Sequence, residues 1–334
     1  MIRALALSFA MILPISATAD QVDAILDRHV LPGFTDLAES SLVMAQVAQS
    51  DCAPSSERLQ AAYSSSFDAW IAVSHLRFGP TEIENRGFAL AFWPDSRNST
   101  PKTLGALIKD QDPIVSDPEA FQSVSIAGRG FFALEYLLFD ERLSTLGNET
   151  YRCSLVQAIT QDIAVVSQAV NRDWQDRYDA LMRTPTQGGI YQTRAEALQE
   201  FYKALDTGLQ INADLRLGRP LGTFAKPRPK RAEAWRSGRS LRHVRLSLEQ
   251  LRVLAWLLTA GNAELAQELD TKFGTALTRI SALVDPDFSS VATPAGRIRV
   301  EALQQAINDI RTEVTQSLGP ALGVSAGFNS LDGD

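Results

Sequence analysis

Histidine is nearly missing from this chain. Only His29, His75 and His243 occur in 334 residues, far apart in sequence, and each reads most simply as a core or surface position. A His-Glu-x-x-His zinc-protease motif is absent, as are a Gly-x-Ser-x-Gly elbow, a phosphate-binding loop and a dinucleotide fingerprint. Strand-like alternation is almost absent as well. No excess of basic charge exists: the formal net charge is -7, which argues against nucleic acid as a partner. After the amino-terminal segment no stretch of about 18 uninterrupted apolar residues follows, so the chain is not expected to span a membrane. Cysteine is limited to Cys52 and Cys153. In an oxidising compartment these two are expected to form one disulfide, the alternative being two unpaired buried thiols.

Residues 1–19 have the pattern of a signal peptide. Arg3 gives a positive start, Ala4 to Ile15 an apolar run, and Ala17-Thr-Ala19 a small-x-small cleavage site. An exported, soluble protein of a bacterial periplasm is the expectation. No cysteine follows the cleavage site to carry a lipid.

The remainder reads as helices. One is expected over residues 20–49, kinked at Pro32-Gly33. A second is capped by Ser55 or Ser56 and runs to about Arg77. Residues 79–116 form a less regular insertion with a short helix near 101–109. Ser116-Asp-Pro118 starts a helix that carries Glu135. Another follows Gly147, its buried stripe marked by Leu155, Ile159, Ile163, Val166, Val170 and Trp174. Thr184-Pro-Thr-Gln-Gly-Gly189 is the strongest boundary. Beyond it, helices are expected over 191–217, over 231–260 after an extended Lys226-Pro-Arg-Pro-Lys230 connector, after Gly261-Asn262, and after the Thr293-Pro294 cap. The implied fold is all-α, two tandem four-helix bundles over residues 20–185 and 190–334.

Two clusters interrupt this apolar pattern. In Gly128-Arg-Gly-Phe-Phe-Ala-Leu-Glu-Tyr-Leu-Leu-Phe139 a lone carboxylate, Glu135, sits among apolar neighbours. It must be paired, hydrogen-bonded or kept neutral. Either it pairs with an arginine elsewhere in the core or it belongs to a site. Two glycines in the same helix suggest that something approaches the backbone closely. In Ala234-Trp-Arg-Ser-Gly-Arg-Ser-Leu-Arg-His243, Arg236, Arg239, Ser240 and His243 are spaced to share one helical face. Either this is a solvated basic face or it lines a cleft opposite Glu135 and the acidic tail, suited to an anion or a carboxylate-bearing ligand.

These two stretches, with Phe92-Trp-Pro-Asp95 and the ending Gly327-Phe-Asn-Ser-Leu-Asp-Gly-Asp334, resemble the imelysin family in the family's order and over nearly all of the mature chain. The resemblance implies a two-bundle helical fold, export, a link to iron, envelope iron-uptake components as partners, and a site between the bundles. The family was once classed with metallopeptidases on a Gly-x-His-x-x-Glu motif. Here Gly130 and Glu135 match that motif, but the histidine position is Phe132, which has no lone pair for a metal. Glu135 alone could supply one oxygen to an iron ion, a thin basis for a metal site. The expectation is therefore a ligand-binding protein, with Glu135, Trp93, Trp235, Arg236, Arg239, Ser240, Asn329 and Asp332 around the ligand. A metallopeptidase-type enzyme and a non-catalytic interaction module are the competing readings, and no catalytic residue is assigned.

Overall fold

The computed structural model describes residues 16–324; their regular structure is helical, with no strand among them. In chain order, α1 (Ser16–Ile25) passes through a π-helical turn (Leu26–Val30) into α2 (Leu31–Ser50), and α3 (Glu57–Val73) returns. The irregular stretch holds α4 (Arg86–Leu90), α5 (Ser99–Asp110) and α6 (Pro118–Phe121). Then come α7 (Gly130–Phe139), α8 (Glu149–Asp173), α9 (Asp179–Arg183), α10 (Arg194–Gln210) and α11 (Gly218–Leu221). The rest is α12 (Ser240–Leu258), α13 (Ala263–Ser281), α14 (Pro294–Glu313) and α15 (Gly319–Ala321).

Several helix starts follow from local side-chain chemistry. The Ser56 hydroxyl accepts from the Leu59 amide at 3.1 Å, and Asn148 accepts from Tyr151 at 2.9 Å. Asn262 and Thr293 do the same for α13 and α14. Each satisfies an amide that the first turn leaves without a partner. The expected α8 stripe from Leu155 to Trp174 is buried.

Packing divides the helices into two groups. α2, α3, α7 and α8 lie against one another, as do α10, α12, α13 and α14, while α3 against α12 joins the groups. α1 crosses over, packing on α10 and α12 although it leads into the first group. There the Gln21 amide donates to the carbonyls of Leu257 and Leu258 at 3.1 and 2.7 Å, capping the end of α12. One apolar core is continuous through both groups. Cys52 and Cys153 are bridged, tying the α2–α3 turn to α8 across 101 residues. In the chain-entropy view a loop that long contributes up to about 4.7 kcal/mol.

Three expected helices begin or end elsewhere. Asp117 does cap a helix, accepting from Glu119 and Ala120 at 3.0 and 3.1 Å, but α6 stops at Phe121. The helix with Glu135 starts only at Gly130, whose φ is +73°. A Cβ there would lie 2.3 Å from the carbonyl oxygens of Ala89 and Leu90. The glycines therefore turn the chain into α7 rather than sit inside a helix, and the close backbone approach is real. The break in the first helix is the π-turn at Leu26–Val30, with Pro32 in the first turn of α2, where it needs no amide. Residues 231–239 are not helical. α12 starts at Ser240, after Ala234 and Gly238 adopt left-handed φ of +49° and +66°.

His29, in the π-turn, and His75, just past α3, meet with Nε2 atoms 2.8 Å apart. Both are buried, so one must donate and the other accept. Burial pushes the His29 pKa down to about 4, and burial, His29 and Arg216 push His75 well below its usual range. A folded pKa below the unfolded value means that the unfolded chain takes the proton first. Stability from His29 is thus complete above about pH 6.5 and is lost as pH falls toward 4, by on the order of 3 kcal/mol. Urea midpoints at pH 7.5 and 4.5 should show this drop, and His29→Gln should show a smaller one.

Candidate functional site

Glu135 lies in the second turn of α7 and is 1% exposed. Its Oε1 accepts from the Ser237 amide at 3.0 Å and from the Ser237 hydroxyl at 2.8 Å. No arginine forms an ion pair with it among the described residues, so the expected arginine partner is replaced by a serine. Burial raises the Glu135 pKa. The two Ser237 bonds and the Arg236 charge pull it back part of the way.

Ser237 can reach α7 because residues 232–239 form a compact turn rather than a helix. Glu233 holds that turn from behind. Its Oε2 accepts from Arg216 Nε at 2.7 Å and contacts His243 Nδ1 at 3.1 Å. Its carbonyl oxygen accepts from the Ser240 hydroxyl at 2.6 Å. Burial would raise the Glu233 pKa, but the Arg216 charge and the His243 hydrogen bond outweigh it and hold it at about 2.

Glu135 forms one edge of a cleft of about 290 Å³ between α7, the loop before α5, α11 and the 229–236 segment. Of the residues expected from sequence, Trp93, Glu135, Trp235 and Arg236 line it together. Arg236 reaches Asp140 at 2.9 Å and lies over the Tyr136 ring, 3.7 Å from its centroid, and the Trp235 ring at 4.4 Å. Although burial works the other way, that arginine and the Leu143 amide hold the Asp140 carboxyl below its usual range. Phe132 also lines the cleft, facing Trp93 at 6.4 Å in a stacked arrangement.

Arg239 and Ser240 do not belong to the cleft. Arg239 turns to α3, where it binds the Asp68 carboxylate and donates to the Ser64 carbonyl at 3.2 Å. Arg242 meets the same Asp68 at 2.7 Å. Ser240 is buried on Glu233. Without a helix through 231–239, the spacing that placed these residues on one face no longer applies. Asn329, Asp332 and Asp334 lie outside the described residues.

Three cations that line the cleft escape the sequence reading: Arg219, Lys230 and Arg231. Arg219 lies 5.7 Å over Trp93, and Lys230 lies 5.4 Å over Trp235. None of the three forms an ion pair among the described residues. The Arg219 Nε is buried without a hydrogen-bond partner there, and burial, with Arg231 nearby, lowers its pKa. Lys230 was visible only as part of a connector, and Ser237 only as the residue between Arg236 and Gly238. The second carboxylate in the lining, Asp95, is occupied with the amides of Ser99 and Thr100 at 2.9 and 2.8 Å. The cleft therefore presents aromatic walls and unpaired positive charge, an arrangement suited to an anion.

The imelysin family profile matches residues 30–314. The chain belongs to the imelysin family. Iron-regulated protein A from Synechococcus elongatus is 23% identical over 331 residues, covering 91% of this chain and 86% of that protein. An imelysin-like protein from Psychrobacter arcticum has the same fold, with a TM-score of 0.79 at 18% identity, over 98% of this chain and all of the other. A protein from Parabacteroides distasonis described as an iron-regulated protein A precursor aligns with a TM-score of 0.71 at 15% identity, over 92% and 95% of the two chains. In this imelysin the family's Gly-x-His-x-x-Glu turn has Phe132 packed against Trp93, so the turn offers a metal only Glu135, whose Oε1 already takes two hydrogen bonds. Among the described residues no group of three or more His, Cys, Asp or Glu side chains is placed to hold a metal ion. The residues present do not fit a metal centre at this turn.

The serine–glutamate contact has a testable pH signature. The Ser237 hydroxyl bond favours the ionised form of the carboxyl that burial disfavours, and a bond to a charged group contributes about 1.5–3 kcal/mol. Ser237→Ala should therefore raise the Glu135 pKa further, and its cost should be larger at pH 8 than at pH 4. Denaturant midpoints at the two pH values measure the difference.

Proposed function

We propose that this imelysin is a periplasmic binding protein linked to iron acquisition or its regulation, and that its cleft takes an anionic ligand. The observation that carries this reading is the set Arg219, Lys230 and Arg231, which lines the cleft beside Trp93 and Trp235 with no carboxylate partner among the described residues. Of the three, Arg219 is half-buried and its Nε has no hydrogen-bond partner among the described residues, so an anion that answers it would satisfy a donor otherwise left unmade. The names of the relatives support the iron link. The signal-peptide pattern of residues 1–19 and the Cys52–Cys153 bridge support an oxidising, exported location. No helix among the described residues is long and apolar enough to cross a membrane. The cleft lies between the two helix groups, read as tandem bundles over 20–185 and 190–334.

Iron would arrive here as an anionic complex with an oxygen-rich chelator, rather than as a bare ion held by protein donors. A cleft with four cations and two hydrogen-bonded carboxylates repels a free metal cation and attracts a polycarboxylate chelate. The same lining disfavours the peptidase reading, which needs an open metal position or a nucleophile with its base.

Citrate and ferric citrate titrations followed by tryptophan fluorescence test this. Saturable binding that weakens with salt is expected, and Arg219→Ala with Arg231→Ala should reduce affinity about 10- to 100-fold. Unchanged affinity in the double variant would remove the assignment. Phe132→His should add a metal affinity that the parent protein lacks, read by isothermal titration with ferrous or zinc ion.

A further inference from the structure

The segment after α11 carries a second feature that the cleft does not use. From Arg219 to Arg231 every charged residue is basic: Arg219, Lys226, Arg228, Lys230 and Arg231, in a chain whose net charge is -7. None of the five forms an ion pair among the described residues. At the tip of this loop stands Phe224, 83% exposed. Phe224 is the most exposed aromatic side chain among the described residues, the next being Trp256 at 57%, and it is the one that stands in a purely basic segment.

The loop is rigid. The Lys226 amide bonds to the Thr223 carbonyl at 3.0 Å and the Arg228 amide to the Pro220 carbonyl at 2.8 Å, closing a tight hairpin. Arg297, a buried residue of α14, donates to the carbonyls of Leu221 at 2.7 Å and Thr223 at 3.1 Å. Its guanidinium lies 5.7 Å from the Phe224 ring centroid. Pro220, Pro227 and Pro229 further restrict the backbone. Phe224 is therefore held outward by the fold, and its exposure is not that of a loose end.

We propose that this hairpin docks on an anionic phospholipid surface, with Phe224 entering the headgroup–acyl boundary and Lys226 and Arg228 meeting lipid phosphates. An aromatic tip ringed by cations is what such an interface selects. A lipid surface needs no shaped counterpart. A protein partner would need a socket for Phe224 and an acid matched to each cation. The excess acid over the rest of the chain keeps other faces off the same surface, so the hairpin sets the orientation. Arg219, Lys230 and Arg231 also line the cleft, so docking places its mouth close to the membrane. Phe224 and Lys226 lie outside the cleft lining, and the proposal stands or falls independently of what the cleft binds.

The test is co-sedimentation of the full mature chain with vesicles of equal phosphatidylglycerol and phosphatidylcholine, against vesicles of phosphatidylcholine alone. Binding to the anionic vesicles only, abolished in 0.5 M salt, is the expected result. Lys226→Glu should weaken it about five- to tenfold, and Phe224→Ser should weaken it while leaving the salt dependence in place. Both positions are exposed, and an unchanged melting temperature with an unchanged far-ultraviolet circular dichroism spectrum would confirm intact folding. Equal sedimentation with both vesicle types, or no effect of either substitution, overturns the proposal. So does retention on a polyglutamate resin, lost in both variants, without vesicle binding, which would make the hairpin a protein-docking element.

Discussion

A single buried carboxylate, Glu233, determines the shape of the functional face. Residues 231–239 have the composition of a helix, and nothing in their apolar pattern forbids one. Glu233 instead turns inward to Arg216 and His243, and its carbonyl takes the Ser240 hydroxyl. Once this contact forms, the chain must loop back through left-handed Ala234 and Gly238 before α12 can begin. The loop then delivers Ser237 to Glu135 and leaves Trp235 and Arg236 facing the cleft. Breaking such a buried pair by removing one partner costs about 3–5 kcal/mol, because the other charge stays buried.

Where local chemistry decides, the sequence was readable. The caps at Thr293 and at Ser56, one of two serines offered, the helix starts after Gly147 and Gly261-Asn262, the buried stripe of α8, and the irregular 79–116 stretch all follow from nearest neighbours. So do the all-α class and the presence of one acid among apolar residues. What was not readable depends on contacts across the fold. The spacing of Arg236, Arg239, Ser240 and His243 suits a helix, but Arg216 and Glu233 meet only after α10 and α12 have packed. Likewise Arg239 could not be assigned to Asp68 from sequence, since 171 positions separate them. Gly130 was read as lying inside a helix with a close backbone approach; the carbonyls of Ala89 and Leu90 make that approach, but Gly130 starts the helix.

The chemistry of the cleft follows from two substitutions of role. Phe132 stands where the family motif has a histidine and gives the Trp93 wall a stacking partner. Ser237, not an arginine, satisfies Glu135; of the cleft's cations Arg236 pairs with Asp140, while Arg219, Lys230 and Arg231 form no ion pair among the described residues. Aromatic rings lie under three of the four cations, Arg219, Lys230 and Arg236, at distances of 3.7 to 5.7 Å.

The claim that Glu233 builds the cleft is tested most directly by hydrogen exchange across residues 232–239, measured together with citrate affinity, in the wild type and in Glu233→Gln. The substitution alters no residue of the cleft lining. The account predicts faster exchange of the Ser237 amide and weaker citrate binding in the same variant. Faster exchange with undiminished citrate affinity would show that the cleft does not depend on this turn and would contradict the account.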